Sequence, residues 1–497
     1  MFGNNPVFNV HAKLSPVFTF CLVCLFSLLL LVPGHVQAVD LAETSKAVVK
    51  LFVTRQAWDM KQPWTKNRSR KVTCSGFFIP QGILTNAHCV ADSTYIEVEL
   101  PGVADKVEGR RKAVNHQVDL ALIELLDSSK IPNVSPITFD ALPELRDKVV
   151  TVGYPAGGRQ VSYTEGVVSR IDIMGYAHSN IGSLMVQTDA AINSGNSGGP
   201  VFSDKTGASL GVATQRSTSG SSIGYFVPAS VINQFIKDIE DGDVEGIPTL
   251  GMYMQTLENP AYRASMEMSS EMSGIRVLTT AKGSSAYGLI KPDDVILAIE
   301  GHQVFNDGRV PFRGDGKIAM GYYVTTRQVG DTISLDILRD GQKKKIDVKL
   351  KKYRHRVIPR MPQYEKKPRF YEVAGIVFRV VEPRYTRSLG KTDPGGIRDY
   401  FGVVLGEIEK LQELVVVSNM YDAKVNKGYS GTIENIRVMN VNGKEIFRLE
   451  DVIEAFEAAG DREFYTINFE NKASIVLDVE QVNREQGIIR QSYNIGQ

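Results

Sequence analysis

Short apolar runs separated by turn residues fill the chain from about residue 41 to residue 243. Runs such as Ala47–Val53 and Leu120–Leu125 are rich in β-branched and other apolar side chains, which is typical of strands. Many short strands in succession favour an all-β barrel or sandwich. The stretch Ala229–Glu240 carries apolar residues at helical spacing, so we predict that a helix closes this unit.

A second unit of strands follows from about residue 246 to residue 352. It opens on the largely apolar segment Thr249–Met254, and its last two strand-like segments flank Asp340-Gly341, a strong hairpin signal. We also predict a helix over Lys317–Gln328, although Gly321 interrupts the pattern.

A third unit, from about residue 370 to residue 482, repeats the plan of the second. It opens on Val373–Phe378 and carries a predicted helix over Leu449–Ala459. The two units are therefore weak internal repeats. The segment 353–368 between them is rich in Pro, Lys and Arg, and we interpret it as a linker.

The composition is that of an ordinary globular protein. Of the 497 residues, 43% are hydrophobic and 23% are charged, and the formal net charge is +1. That balance gives no reason to expect binding to nucleic acid or to a membrane surface. No run of stacking aromatic residues accompanies the basic runs Lys343–Lys345 and Lys349–Lys352. We interpret them as a solvated face or a charged edge strand.

The first 38 residues differ from the rest of the chain. Up to Val39 there is no Asp, Glu or Arg, and the apolar run Val17–Val32 is followed by Val36-Gln37-Ala38. This pattern is typical of a secretory signal peptide cleaved after Ala38. An uncleaved membrane anchor is the alternative, although the run is shorter than the ~20 residues that a span needs. We therefore expect an exported protein, periplasmic or secreted.

Two cysteines, Cys74 and Cys89, remain after removal of such a signal, because Cys21 and Cys24 lie inside it. An even pair in an exported chain favours a disulfide. Two buried thiols are the alternative if the chain is cytosolic.

Three short segments carry residues suited to peptide hydrolysis. We expect Ser197 to attack the scissile carbonyl, and His88 to take its proton and pass it to the leaving amine. Asp119 would hold the imidazole in the productive tautomer. Glycines near Ser197 allow a tight turn whose N–H groups, from Gly195 to Ser197 with Asn196 between them, would bind the oxyanion. The segments are Leu84–Val90, Val118–Ile123 and Asn193–Val201.

In their order along the chain, these segments resemble the chymotrypsin superfamily. Thr85–Cys89, Asp119–Ala121 and Asp189–Gly199 are similar to the Deg/HtrA proteases, and Leu250-Gly251 and Leu257–Ala261 resemble their plant-type branch. The resemblance implies a mainly β fold, with a chymotrypsin-like double β-barrel followed by two PDZ-like α/β domains. The implied boundaries are 1–38 for the signal peptide, 39–245 for the trypsin-like protease domain, 246–352 for the first PDZ domain, 353–368 for the linker and 369–497 for a divergent second PDZ-like domain.

The resemblance also implies a function and partners. It implies a serine endopeptidase that cleaves unfolded or exposed polypeptides in protein quality control, with no metal and no cofactor, and a homo-oligomer that is a trimer or a multiple of one. Trp58 and Trp64 are candidates for trimer contacts, with core or loop packing as the alternative. Loops Ile173–Ser183 and Arg216–Ser222 would switch the enzyme between inactive and active states. A binding or chaperone protein on the same fold is the alternative function.

Substrate preference follows from the same resemblance. Ala191 and Ile192 would line the primary specificity pocket, and Val212, Ala213 and Thr214 would form its opposite wall. Because no Asp or Glu lies at the pocket floor, we expect a small or medium apolar residue rather than Lys or Arg before the scissile bond.

Each PDZ-like unit would bind an extended peptide at a sheet edge and catch its terminal carboxylate with the N–H groups of a loop. The third unit departs from the pattern, and a role in packing or assembly is an equal alternative there. The predicted loop residues are Leu250, Gly251 and Met252 in the second unit, and Gly375, Ile376 and Val377 in the third.

Overall fold

A closed barrel of six antiparallel strands begins the folded part of the chain. Its order is β1-β2-β3-β6-β5-β4, and β1 closes it by pairing with both β2 and β4. Closure leaves no strand edge exposed. The elements are α1 (Leu41–Thr44), a 3₁₀ turn (Ser45–Ala47), β1 (Val48–Arg55), β2 (Arg70–Ile79), β3 (Gly82–Thr85), α2 (Ala87–Val90), β4 (Ser93–Glu99), β5 (Val107–Asn115), β6 (Leu120–Leu125) and a 3₁₀ turn (Ser128–Lys130).

This computed structural model describes residues 1, 3 and 41–496 except 157, 217–222, 241, 243, 353–355, 393–394, 430, 432 and 459. The predicted signal peptide and most of the predicted switch loop Arg216–Ser222 therefore lie outside the described residues. In the described part of the chain, every helix is too short or too polar to cross a lipid bilayer.

A second closed barrel follows, in the order β10-β11-β12-β9-β8-β7. The predicted helix Ala229–Glu240 is confirmed, and it buries Val231, Ile232 and Phe235. The two closed barrels confirm the mainly β class and the double-barrel architecture. The elements are β7 (Lys148–Gly153), β8 (Ser162–Gly175), β9 (Gly182–Thr188), β10 (Pro200–Ser203), β11 (Ser209–Arg216), β12 (Gly224–Pro228) and α3 (Ala229–Glu240).

The second unit is a sheet in the order β13-β14-β15-β19-β20, with β16 beside β15 and the separate pair β17-β18. The predicted hairpin is confirmed, because Asp340 and Gly341 both have positive φ and join β19 to β20. The elements are β13 (Met252–Thr256), α4 (Pro260–Ser265), β14 (Ile275–Thr280), β15 (Val295–Ile299), β16 (His302–Gln303), β17 (Arg309–Pro311), β18 (Lys317–Ala319), α5 (Tyr322–Thr325), β19 (Thr332–Arg339) and β20 (Gln342–Lys349).

The helix predicted over Lys317–Gln328 is wrong over most of its length. Lys317–Ala319 forms β18, whose Ile318 pairs with Val310 of β17, and both side chains are buried. Only Tyr322–Thr325 is helical. Strand pairing that buries two apolar side chains therefore overrides the helical spacing. The basic run Lys343–Lys345 lies exposed on the edge strand β20, as expected.

The third unit contains two sheets, β21-β22-β23 and β25-β24-β26-β27. The predicted helix Leu449–Ala459 is confirmed as far as Glu457. The elements are β21 (Phe370–Val373), β22 (Ile376–Val380), α6 (Pro383–Ser388), a 3₁₀ turn (Ile397–Phe401), β23 (Val415–Met420), β24 (Val438–Val441), β25 (Lys444–Glu445), α7 (Leu449–Glu457), β26 (Phe464–Phe469), β27 (Ser474–Asp478) and α8 (Val479–Ser492).

The third unit is docked on the first barrel, since residues 40–497 form one compact unit. The loop 56–69 between β1 and β2 makes part of this contact. Trp64 packs at 5.5 Å from the ring of Phe370 and 5.7 Å from that of Tyr421. Arg379, which is fully buried, donates a hydrogen bond to the carbonyl of Met60. The loop 56–69 therefore connects the first barrel to the third unit within one chain.

We expect Trp64→Ala to lower the free energy of unfolding by about 1–3 kcal/mol, because it removes a half-buried aromatic contact between domains. Chemical denaturation measures this difference. Tyr95→Ala, which removes an exposed aromatic residue of β4, is the matched control. Equal effects of the two substitutions would contradict the docking role of Trp64.

Candidate active site

His88 is placed by a short helix that follows β3. Asn86 ends the extended chain, and its side-chain amide donates to the carbonyl of Asp119 at 3.0 Å. Nδ1 of His88 lies 2.8 Å from Oδ2 of Asp119, and the His88 N–H donates to Oδ1 at 2.8 Å. About a third of the His88 side chain is exposed. The imidazole is thus held on one edge and open on the other.

Asp119 lies between β5 and β6 with a positive φ of 57°, a conformation that turns the carboxylate back toward His88. The carboxylate also accepts a hydrogen bond from Oγ1 of Thr214. Burial acts to raise the pKa of Asp119, but the charge and hydrogen bond of His88, with Thr214, outweigh it and hold the pKa below its usual value. The carboxylate is therefore ionised at neutral pH.

Ser197 lies in the turn between β9 and β10, in the second barrel. Its hydroxyl donates to the carbonyl of Thr214 at 3.0 Å, and in the described part of the chain it makes no hydrogen bond to His88. Thr214 therefore joins both sides of the site, since its hydroxyl bonds to Asp119 and its carbonyl to Ser197. The site spans the two barrels.

The turn that carries Ser197 depends on glycine. Gly195 and Gly198 have φ of 99° and 87°, in the region that glycine favours. A Cβ at Gly198 would overlap the carbonyl of Ser75 and Oγ1 of Thr85. Among the described residues, the N–H groups of Gly195 and Ser197 have no hydrogen-bond acceptor. Both are available to an oxyanion.

Asn196 differs from its neighbours, because its N–H donates to the carbonyl of Asn193 at 3.0 Å inside the turn. The predicted contribution of Asn196 to the oxyanion hole is corrected on this point. Its backbone holds the turn together, and only its neighbours present free donors.

The predicted pocket residues separate into two groups. Ala191 is partly exposed. The side chain of Ile192 packs directly against Gly224, so closely that a Cβ at Gly224 would overlap it. Val212 and Ala213 are fully buried in the hydrophobic core. Their assignment to the pocket wall stays a prediction, and β11 does lie beside the Ser197 turn, since the carbonyl of Ala213 accepts from the N–H of Gly198 at 2.9 Å. The hydroxyl of Thr214 faces Asp119.

Cys74 of β2 and Cys89 of α2 are bonded to each other, with a Cα–Cα distance of 6.1 Å. Both sulfur atoms and a ring nitrogen of His88 lie within 4.8 Å of one another, but the bond between the sulfur atoms leaves no thiolate to hold a metal ion. The pair lies directly beside the imidazole.

Known proteins match both ends of the chain. The family described as "Trypsin-like peptidase domain" matches residues 74–212, and that described as "PDZ domain" matches residues 358–497. Protease Do-like 2, chloroplastic, of Arabidopsis thaliana is 34% identical over 90% of this chain and 74% of the relative. Protease Do-like 4, mitochondrial, of the same plant is 32% identical over 92% of this chain and 85% of the relative. The chain belongs to the Do-like, or Deg/HtrA, family of serine proteases.

Among solved structures, the HtrA-type protease AlgW with a tripeptide is 25% identical, with 63% of this chain and 95% of that chain covered and a TM-score of 0.48. Deg/HtrA membership confirms the resemblance found in the sequence and the assignment as a serine protease. It also confirms that this Deg protease carries a PDZ domain.

The loop Leu250, Gly251 and Met252 of this Deg protease opens on an edge strand. Gly251 has φ of 68°, and its N–H donates to Oγ1 of Thr249 at 3.2 Å. In the described residues β13 pairs with β14 alone and is the edge strand of its sheet.

The corresponding edge in the third unit is already filled. β21 pairs with β22 in antiparallel register, from Phe370 with Arg379 to Val373 with Ile376. β21 also packs on α7, where the ring of Tyr371 lies 5.9 Å from that of Phe456. The edge of β22 that the sequence assigned to a peptide is therefore paired with a strand of the chain itself.

The loop donors of the third unit are also satisfied from within. The buried carboxylate of Glu372 accepts from the N–H of Gly375 at 2.8 Å, and Arg490 donates to it at 2.8 Å. The predicted peptide loop Gly375, Ile376 and Val377 is corrected accordingly, since a side-chain carboxylate takes the place of a peptide terminus.

Sequence reasoning missed several residues at the site. The hydroxyl of Ser75 bridges the barrels, because it donates to the carbonyl of Gly195 and accepts from the N–H of Tyr154, both at 2.8 Å. His178 lies near His88, although it was expected only as part of a flexible loop. Nδ1 of His116 lies 2.8 Å from Nε2 of His178. No local signal marks these contacts, because they form between distant segments.

We expect Gly198→Ala to abolish proteolysis, because the added methyl group would overlap Ser75 and Thr85 and displace the turn. Gly175→Ala is the matched control, since a Cβ there meets no atom within 4 Å. Initial rates on unfolded casein measure the effect. Retained activity in Gly198→Ala would contradict the packing argument.

Proposed function

We propose that this Deg protease hydrolyses peptide bonds through His88, Asp119 and Ser197. The observation that supports this most is the 2.8 Å contact of His88 Nδ1 with the buried carboxylate of Asp119, joined to Ser197 through Thr214. Ser197 attacks the scissile carbonyl while its proton passes to Nε2 of His88, which then protonates the leaving amine. Asp119 stabilises the imidazolium. The N–H groups of Gly195 and Ser197 bind the oxyanion.

In the proposed cycle, the hydroxyl of Ser197 first leaves the carbonyl of Thr214. The 3.0 Å bond between these groups supports a resting arrangement in which the nucleophile is not yet paired with its base. Binding of an unfolded polypeptide would turn the hydroxyl toward His88. Hydrogen bonds of this kind commonly tighten only in the substrate complex.

The proposed substrates are unfolded or exposed polypeptides, cleaved in protein quality control. Ala191 supports a small or medium apolar residue before the scissile bond, because it offers no charge to Lys or Arg. Peptide C-termini would bind at the free edge of β13, beside Leu250 and Met252. We further propose a homo-oligomer, as the Deg/HtrA family implies.

The proposed compartment is outside the cytosol, after cleavage behind Ala38. The relatives named above are described as chloroplastic and mitochondrial, whereas the first 38 residues of this chain contain no Arg and have the pattern of a secretory signal. An oxidising compartment would also maintain a disulfide between Cys74 and Cys89.

Labelling with a fluorophosphonate probe tests the nucleophile. We expect wild type to be labelled and Ser197→Ala not, because the probe reacts with an activated serine hydroxyl. Labelling should rise when unfolded casein is added, and Ser197→Ala should still bind casein. Labelling of Ser197→Ala at the wild-type rate would contradict the mechanism. A wild type that binds casein but is never labelled would favour the alternative, a chaperone on a protease fold.

Mass spectrometry of the tagged full chain after fractionation tests export. We expect a mature N-terminus at Val39 and no free thiol at Cys74 or Cys89. Leu29→Arg should block processing, because it places a charge in the apolar run, whereas Ser27→Ala should not. A mature protein that keeps residues 1–38 would contradict signal cleavage.

A further inference from the structure

Two residues of the segment 356–368 reach the first barrel beside the candidate active site. The ring of Tyr364 stacks on that of His178 at 4.3 Å with an interplanar angle of 16°. The Tyr364 hydroxyl also donates to the carbonyl of His178 at 3.0 Å. The segment interpreted as a linker therefore contacts both the ring and the backbone of His178, a residue of the β8–β9 turn.

Glu365 anchors the same segment. It exchanges two hydrogen bonds with Asp92, from the Asp92 N–H to Glu365 at 3.0 Å and from the Glu365 N–H to Asp92 at 2.8 Å. Its carboxylate also lies 2.7 Å from Arg111 and 3.0 Å from His116. Burial acts to raise the pKa of Glu365, but His116, Asp92 and Arg111 together hold it below its usual value. An ionised carboxylate with this many partners fixes the segment in place.

His116 connects the two anchors, since one ring nitrogen lies 2.8 Å from Nε2 of His178 and the other 3.0 Å from Glu365. Burial lowers the pKa of His178 to about 3, with further lowering by His116 and His88 against the opposing effect of Asp119. His178 is therefore neutral at neutral pH. The His178 ring is therefore held by a hydrogen bond and places no positive charge beside His88.

His178 in turn contacts the proposed base. Its ring centroid lies 6.2 Å from that of His88, with an interplanar angle of 53°, which is within the range of packed aromatic rings. The turn that carries it is held elsewhere too, because the hydroxyl of Ser179 donates to the carbonyl of Gln117 at 2.8 Å. Asp119 thus holds one edge of His88, and His178 packs beside the ring.

Tyr364, Glu365, His116 and His178 together form a bracket beside His88, and the third unit adds a contact to it. Arg384 of α6 lies 3.1 Å from Asp92 and 5.6 Å from the ring centroid of Tyr364. Arg384 therefore ties the docked third unit to both Asp92 and Tyr364.

We propose that His178 is a positioning residue for His88, and that Tyr364 and Glu365 hold it in place, so that the docked third unit completes the active site. This inference rests on the proposed triad. A base that must receive and return a proton tolerates little displacement, since a misplacement of about 1 Å can cost on the order of 10²-fold in rate. Release of the third unit would slow catalysis without touching any triad residue.

Kinetics on a fluorogenic peptide, per active site titrated with the fluorophosphonate probe, test this inference. We expect Tyr364→Ala to lower kcat by about tenfold or more with KM changed less than about twofold, because it leaves His178 unsupported. His178→Ala should cause a similar loss, and the double variant should lose no more than either single one. Glu365→Gln should give a smaller loss. Lys366→Ala, which removes an exposed neighbouring side chain, is the matched control and should leave kcat unchanged.

Titration of the reactive serine separates positioning from folding, since unfolded molecules are not counted. If Tyr364→Ala only lowers the unfolding temperature and keeps the wild-type kcat per titrated site, the positioning role is overturned while the protease mechanism stands. A rise in kcat would also overturn it, because the bracket would then restrain the enzyme. A wild type that is neither labelled at Ser197 nor active would overturn the proposed triad and the positioning role with it.

Discussion

The buried carboxylate of Asp119 is the interaction on which the rest of the site depends. An unpaired charge in a protein interior costs several kcal/mol, so Asp119 must collect donors wherever the fold can supply them. His88 supplies its ring and its backbone N–H, and Thr214 supplies a hydroxyl from the other barrel. The two barrels are therefore tied together by the requirement to satisfy one carboxylate, and the same contacts link His88 to Ser197 through Thr214.

A second constraint comes from the close packing of backbone around Ser197. The hydroxyl of Ser75, in the first barrel, accepts a hydrogen bond from the N–H of Tyr154 and donates one to the carbonyl of Gly195. Both partners belong to the second barrel. At Gly198, the neighbouring atoms leave no room for a side chain. The position of Ser197 thus depends on packing from both barrels.

The third unit makes extensive contacts of its own with the rest of the chain. Its own strand β21 pairs with the edge of β22, and the buried carboxylate of Glu372 accepts a hydrogen bond from the N–H of Gly375. With this edge closed, its contacts are directed toward the first barrel through Trp64, Arg379 and Arg384. The third unit is in this way packed against the first barrel.

The sequence by itself determined the strand-rich fold, the helix Ala229–Glu240 and the three segments around His88, Asp119 and Ser197, because short-range periodicity and local motifs carry that information. Only the tertiary structure decided what depends on distant partners. Lys317–Ala319 became a strand by pairing with β17. Tyr364 meets His178 across 186 positions, and no local pattern encodes such a contact. The way the barrels and the third unit assemble sets the packing and hydrogen bonding between segments that are far apart in the chain. For this reason the bracket beside His88 could not be predicted from the sequence.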